Sequence, residues 1–288
     1  MRLTFRTFFA ALVCTGLLFA TEEFKLEESL VVYHDVPEAK SFGIVFLIPG
    51  SQKESTKISH NSLKKELLAR NFCPVTLEKR GILEGDEIEY ASKMSIEERV
   101  KDHVVVIEKL QKGLIEGWNG KISIIGQGDG GRIGASLARR IDSVAAIILI
   151  GSGGAWPVLD ETLFCFRAQM VKEGFSPQYI QSFLVQAKQE FEKALQYPKP
   201  EHKAFGYNYK YWESLLKNHL MDDLSSLKCP IYYAHGKNDD RVPLQSAESM
   251  AKALKTKITF VCKEKMGREI SQNYEIYEEA LDWLQKRI

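Results

Sequence analysis

A chain of 288 residues can build one well-cored domain with a modest insertion, and 44% hydrophobic with 27% charged residues excludes the disordered and collagen-like classes. Its 39 basic and 38 acidic residues leave a formal charge of +1, so no overall field favours a nucleic-acid backbone or an anionic membrane surface. Nucleic acid is therefore not an expected partner, and no internal repeat, heptad or low-complexity run stands out.

Arg2 and Arg6 precede the apolar run Phe8 to Phe19, and Ala20 leads directly into Thr21-Glu22-Glu23. That order of charged, apolar and small residues is the pattern of a cleavable secretory signal over residues 1–20. It predicts a mature chain that starts at Thr21 and is periplasmic or secreted. The alternative is an uncleaved N-terminal anchor, but the run is shorter than the roughly 20 apolar residues of a spanning helix. No transmembrane segment is expected after cleavage. Cys73, Cys165, Cys229 and Cys262 remain, without the spacing of a zinc site or a disulfide-dense module. Three of them lie in or beside apolar runs, as small buried hydrophobes do; a disulfide at Cys165 stays open.

Along the mature chain, short apolar runs alternate with amphipathic ones, which predicts a mostly parallel sheet flanked by helices on both faces. In chain order, strands are expected at Leu30 to Tyr33, Gly43 to Ile48, Cys73 to Leu77, Lys121 to Ile125, Val144 to Ile150, Ile231 to Ala234 and Ile258 to Val261. The helices expected between and after them are Asn61 to Arg70, Ser95 to Leu114, Arg132 to Ile141, Leu244 to Leu254 and Tyr274 to Lys286. Ser95 with Glu98 forms a capping box. The stretch 156–227 breaks the alternation, being aromatic, helical and without a clear strand. It reads as a helical cap inserted into a domain that spans 21–288.

The segment Lys121 to Arg132, K-I-S-I-I-G-Q-G-D-G-G-R, is a strand running into a glycine-rich turn and a helix. Gly126, Gly128 and Gly131 match G-x-G-x-x-G, the turn that cradles a dinucleotide pyrophosphate. That fingerprint wants a carboxylate closing the next strand, and Gly151-Ser152-Gly153-Gly154 stands there instead, so no cofactor is expected. The same residues also overlay G-x-S-x-G, the sharp strand-to-helix turn that presents a nucleophile, with Gly128 at the serine position. A plain tight turn without catalytic history is the third reading of this segment alone.

Other segments favour the second reading. Pro49-Gly50-Ser51-Gln52 after the second long strand resembles the loop that supplies an oxyanion donor in α/β-hydrolases, and Glu78-Lys79-Arg80-Gly81 is similar to their D-x-R-G turn. Cys229 to Pro243, C-P-I-Y-Y-A-H-G-K-N-D-D-R-V-P, looks like the family's C-P-I strand and H-G-x-x-D-x-x-V-P loop, with Asp239 at the triad acid. The chain from about residue 30 onward thus resembles capped serine esterases and acyl hydrolases of the α/β-hydrolase superfamily. Two positions depart from the pattern. Gly128 replaces the serine, and Arg268 stands where the histidine after the last strand belongs; Leu83 and Glu84 also depart from the G-x-S after the R-G turn.

Those departures remove the chemistry. Glycine carries no nucleophile, and arginine, with a pKa above about 12, cannot serve as a general base near neutral pH. The resemblance therefore implies a degenerate triad at Gly128, Asp239 and Arg268, of which only Asp239 is retained. The resulting reading is a pseudo-hydrolase that binds a small apolar or acyl ligand, or a protein partner, with Ser51, Gln52 and Asp129 at the site. An active ester or thioester hydrolase using Asp129 or water is the alternative. Asp129 is otherwise expected to cap the following helix. Aromatics from Phe164 to Trp212 should cover the strand ends, and no metal-ligand spacing is present among the six histidines.

Overall fold

A computed structural model describes residues 21–27, 30–57, 59–267 and 274–288; the expected signal at 1–20 and Arg268 lie outside the described residues. Eight strands form one mixed sheet: β1 (Glu22–Glu27), β2 (Leu30–His34), β3 (Phe42–Ile48), β4 (Phe72–Leu77), β5 (Trp118–Gln127), β6 (Val144–Ile150), β9 (Ile231–Gly236) and β10 (Ile258–Lys263). Between β6 and β9 the strands β7 (Lys203–Ala204) and β8 (Tyr207–Asn208) make a separate short hairpin. The large sheet runs in the order β1-β2-β4-β3-β5-β6-β9-β10, parallel from β4 to β10 and antiparallel at β1-β2 and β2-β4.

The parallel strands form because Ile- and Val-rich runs can be buried on both faces. In β3, Ile44, Phe46 and Ile48 pack with Val100 and Ile107 of α3 (Ile96–Leu110) and with Ile133 of α4 (Asp129–Ala138). The alternate residues Val45 and Leu47 belong to the opposite core, with Leu63 and Leu67 of α1 (Asn61–Ala69) and Leu281 and Leu284 of α10 (Tyr274–Gln285). The helix α9 (Leu244–Leu254) adds Met250 to the first core. After β6 come α5 (Val158–Lys172), α6 (Pro177–Gln196), α7 (Tyr209–Leu216) and α8 (Leu220–Ser226).

From β3 the chain passes through α1 to β4 on one side, then returns through α2 (Glu87–Lys93) and α3 to β5 on the other. Their loops diverge at the carboxyl ends of β3 and β5, which is where an open α/β sheet leaves a crevice for ligands. Ile48 pairs with Gly126 there, so the 49–52 loop and the Gly128 turn emerge side by side.

Several expectations shift. Strand β1 was not anticipated, because Glu22, Glu23, Lys25 and Glu27 are charged and exposed; pairing with β2 holds it. Helix α2 buries none of its residues and so lacks the periodic signal; Asp86 caps it by accepting from the N–H groups of Ile88 and Glu89, both at 2.9 Å. Helix α4 starts at Asp129 rather than Arg132 and stops at Ala138, and the β7-β8 hairpin falls where no strand was expected.

Candidate functional site

Gly128 ends β5 and opens α4 with φ 54° and ψ −125°. An L-residue there would push its Cβ toward the backbone carbonyl, so glycine removes a strain that a serine at this turn must carry. Two residues on, a Cβ on Gly130 would lie 1.9 Å from the carbonyl oxygen of Ile48. The missing side chain lets α4 press directly onto β3.

Asp129 occupies the first turn of α4, where its charge suits the N-terminal dipole as expected, although the N-cap position itself is Gly128. The carboxylate also reaches the neighbouring loop and α7. Its Oδ2 accepts from Ser51 Oγ at 2.5 Å and from Tyr211 OH at 2.6 Å. Burial, with the adjacent Asp129 charge, holds the Tyr211 hydroxyl well above the ordinary tyrosine range, so it remains a donor. The 49–52 loop is pinned from below through its carbonyls. Arg99 Nη2 donates to Pro49 O at 2.9 Å, Tyr90 OH to Ser51 O at 2.9 Å, and Lys79 Nζ to Gln52 O. Burial, and secondarily the Arg99 charge, brings the Lys79 ammonium down to about 8.

Over the turn lies a cavity of about 340 Å³. Gly128, Asp129 and Arg132 line one wall, and Phe166, Phe205, Tyr207, Tyr211 and Trp212 contribute aromatic surface from the segment between β6 and β9. Tyr207 stacks on Tyr211 with centroids 4.4 Å apart, and Trp212 meets Tyr211 at 5.7 Å. Of the other aromatics expected over the strand ends, Phe191 is fully buried in packing, while Tyr179 is exposed.

A buried ion pair ties α5 to α4. Arg132 Nη2 lies 3.1 Å from Glu161 Oε2, and Glu161 Oε1 accepts from Gly154 N and Ser246 Oγ, each at 2.7 Å. Burial pushes the Glu161 carboxyl up, and Arg132 opposes that shift. Neither residue carries a sequence motif, and their partnership across 29 positions was not foreseen.

In the acid loop, Asp239 Oδ1 accepts from the N–H groups of Arg241 at 2.8 Å and Val242 at 3.0 Å. His235 Nδ1 stands 3.9 Å from Asp239 Oδ2, and burial lowers His235 to about 4, leaving the ring neutral at pH 7. Asp240, Arg241 and Val242 reach the cavity. Gly128 and Asp129 are thus brought together on its wall, and Ser51 reaches it through the bond to Asp129. Gln52 is exposed and lines a different cavity. All four cysteines of the described residues are free, Cys165 included.

Two hydroxyl donors on Oδ2 stabilise the Asp129 carboxylate where it sits and lower its nucleophilicity. The arrangement therefore suits a fixed polar anchor in an otherwise aromatic chamber better than an attacking group.

No family model and no curated protein matches the sequence. Solved structures do match in fold. A 2,6-dihydroxy-pseudo-oxynicotine hydrolase is 18% identical, with a TM-score of 0.62 over 93% of this chain and 68% of its own. Est1E from Butyrivibrio proteoclasticus is 13% identical at a TM-score of 0.62, covering 93% of this chain and 98% of that one. An acylaminoacyl peptidase from Pyrococcus horikoshii reaches a TM-score of 0.65 at 16% identity, over 93% of this chain and 40% of its own. Together with the sheet order, the sharp turn after β5 and the acid loop after β9, these likenesses establish that the chain adopts the α/β-hydrolase fold.

Proposed function

We propose that the protein is an exported, catalytically inactive hydrolase-like protein that binds a small apolar or acyl ligand in the cavity over Gly128. The observation that carries this reading is the pairing of a nucleophile-type turn, φ 54° and ψ −125°, with glycine at its tip and five aromatic side chains facing it. A volume of about 340 Å³ suits a compact ligand, since small-molecule sites range from roughly 300 to 1,000 Å³. Losing the nucleophile of such a triad costs about a millionfold in turnover.

Titration of the mature protein with a fluorescent medium-chain acyl probe tests it. Saturable enhancement is expected, reduced by Phe166→Arg, together with no labelling by a fluorophosphonate. Stoichiometric fluorophosphonate labelling would overturn the reading. Ester turnover abolished by Asp129→Asn would replace it with a carboxylate-nucleophile enzyme. Rebuilding the triad by Gly128→Ser with Arg268→His should give weak ester hydrolysis that neither single change gives, because triad members act as a unit. Export is tested separately by N-terminal sequencing of the exported protein, where Thr21 is the expected first residue and Met1 would sink the signal assignment.

A further inference from the structure

A second cavity, of about 490 Å³, shares no lining residue with the one over Gly128. Its walls are the 49–52 loop, the segments 54–56 and 59–63, and the side chains of Lys79, Gln127 and Tyr277. Helix α1 starts in this wall without a cap. His60 is its N-cap residue, at φ 61° and ψ 27°, and its side chain makes no capping bond; the first turn holds no acidic residue. The first intrahelical bond runs from Lys64 N to His60 O at 2.9 Å, so the N–H groups of Asn61, Ser62 and Leu63 have no intrahelical acceptor.

Thr56 supplies an independent sign of a ligand. It is fully buried at 0% exposure and lines the cavity, yet its Oγ1 has no partner among the described residues. The rest of the residue is engaged: Thr56 N donates to both Glu78 carboxylate oxygens at 3.1 Å, and Thr56 O accepts from Ser59 N at 3.2 Å. His60 Nδ1 is also buried and unpartnered, while His60 Nε2 stands 3.3 Å from Gln127 Oε1. Lys79, 6% exposed, adds an ammonium to the wall beside its bond to Gln52 O.

The charges around the cavity limit what it takes. Lys64 lies just behind the wall and donates to Lys57 O at 2.9 Å. Glu54 stands exposed at the rim, and Glu78 beneath is held by Ser55 Oγ, Thr56 N and Lys79 N. Behind the wall, Lys64 stands against both Glu78 and the buried Asp35, so the side chains supply no cationic surplus and the helix N-terminus is the positive pole. A singly charged oxyanion fits that balance better than a highly charged one, and the volume leaves room for an organic body behind it.

We propose that the start of α1 is a binding site for the singly charged carboxylate or phosphodiester head of a small organic acid, held by the first-turn N–H groups, the Thr56 hydroxyl and Lys79. This site is independent of the ligand over Gly128. Calorimetry on the full mature chain with benzoate and with methyl phenyl phosphate, both singly charged, at matched ionic strength in chloride, tests it. Saturable binding of at least one probe is expected, and which of the two binds more tightly names the head group. Thr56→Val keeps the shape and the backbone bonds of its site, and should weaken that binding about tenfold, the loss of one charge-assisted hydrogen bond. Lys79→Met should weaken it at least as much, while the acyl probe over Gly128 binds Thr56→Val normally. Should Lys79→Met fail to fold, Thr56→Val decides alone. Absence of saturable binding by both probes, or binding that Thr56→Val leaves unchanged, overturns the proposal.

Discussion

At the end of β5 the cavity wall is held by shape: Gly130 brings α4 so close to β3 that a single Cβ would lie 1.9 Å from Ile48 O. Across the same cavity, α5 is held by charge, through Glu161 and its bonds to Arg132, Ser246 and the Gly154 N–H. Steric contact of backbone on backbone leaves no alternative geometry and tolerates no added atom. A buried ion pair keeps its geometry only while both partners are present, since each alone is an uncompensated charge. The turn is therefore the rigid half of the chamber, and the anchored helix is the half that a single side-chain change can release.

The largest effect is expected at the anchor. Glu161→Ala strands the Arg132 guanidinium, which is 4% exposed, and removes the acceptor of Gly154 N and Ser246 Oγ. Breaking one side of a buried pair costs about 3–5 kcal/mol, so the urea midpoint should fall steeply. Limited proteolysis should then cut within 158–196 before it cuts the sheet. A midpoint unchanged from the parent would mean that packing of α5, rather than Glu161, secures the helix.

The two halves were unequally legible in the sequence. Spacing alone marks Gly126, Gly128, Gly130 and Gly131 as a strand-to-helix turn, because the need for small residues there is local. The Ile- and Val-rich strands were readable for the same reason, as their burial on both faces is written in composition. Contacts between distant segments were not. Ser51 and Tyr211 meet Asp129 across 78 and 82 positions, and nothing local to Asp129 announces either hydroxyl. Strand β1 and helix α2 escaped because edge pairing and an Asp86 cap hold them without an apolar periodicity.

Acid should load both halves, through one histidine each. His103 packs its ring on Phe46 of β3 at 5.9 Å, and its Nδ1 bonds Arg99 O at 2.7 Å, behind the turn. His235 lies 3.3 Å from Tyr233 OH, which donates to Gly153 O at 2.7 Å beside the anchor. Burial lowers each to about 4 from an ordinary 6.5. A folded pKa below the unfolded value contributes stability that is fully present above about 6.5 and is lost as pH falls toward about 4. Each ring accounts for about 3 kcal/mol at most. Stability measured from pH 7 to pH 4 should decline, with His34 and His60, which burial also lowers, adding to the effect of these two rings. His103→Gln and His235→Asn should each make the decline shallower, and a flat parental profile would show that neither ring is buried neutral.

Next in size is Gly130→Ala. The added methyl meets Ile48 O at 1.9 Å and Pro49 O at 2.8 Å, both backbone atoms that cannot swing aside as a side chain would. Overpacking of this kind costs about 1–3 kcal/mol, with the upper end expected because the 49–52 loop is itself pinned by Arg99, Tyr90 and Lys79. The acyl probe should also bind more weakly to this variant, since displacing α4 moves Asp129 and Arg132 together. A stable variant with parental probe affinity would show that α4 slides freely on β3, which removes the contrast with α5.

The smallest effect belongs to the tip of the turn. At φ 54° and ψ −125°, Gly128 sits where any L-residue carries Cβ strain, and that strain costs about 1–2 kcal/mol. Gly128→Ala and Gly128→Ser should be destabilised alike, because the penalty comes from the Cβ and not from what it bears. Their denaturation midpoints should therefore agree with each other while both fall below the parent. Equality of the pair is the sharper test: if serine were markedly less stable than alanine, the cost would lie in burying the hydroxyl against the aromatic chamber rather than in the backbone. Parental stability in both variants would mean that the turn relaxes on substitution, and shape would then hold the wall at Gly130 but not at Gly128.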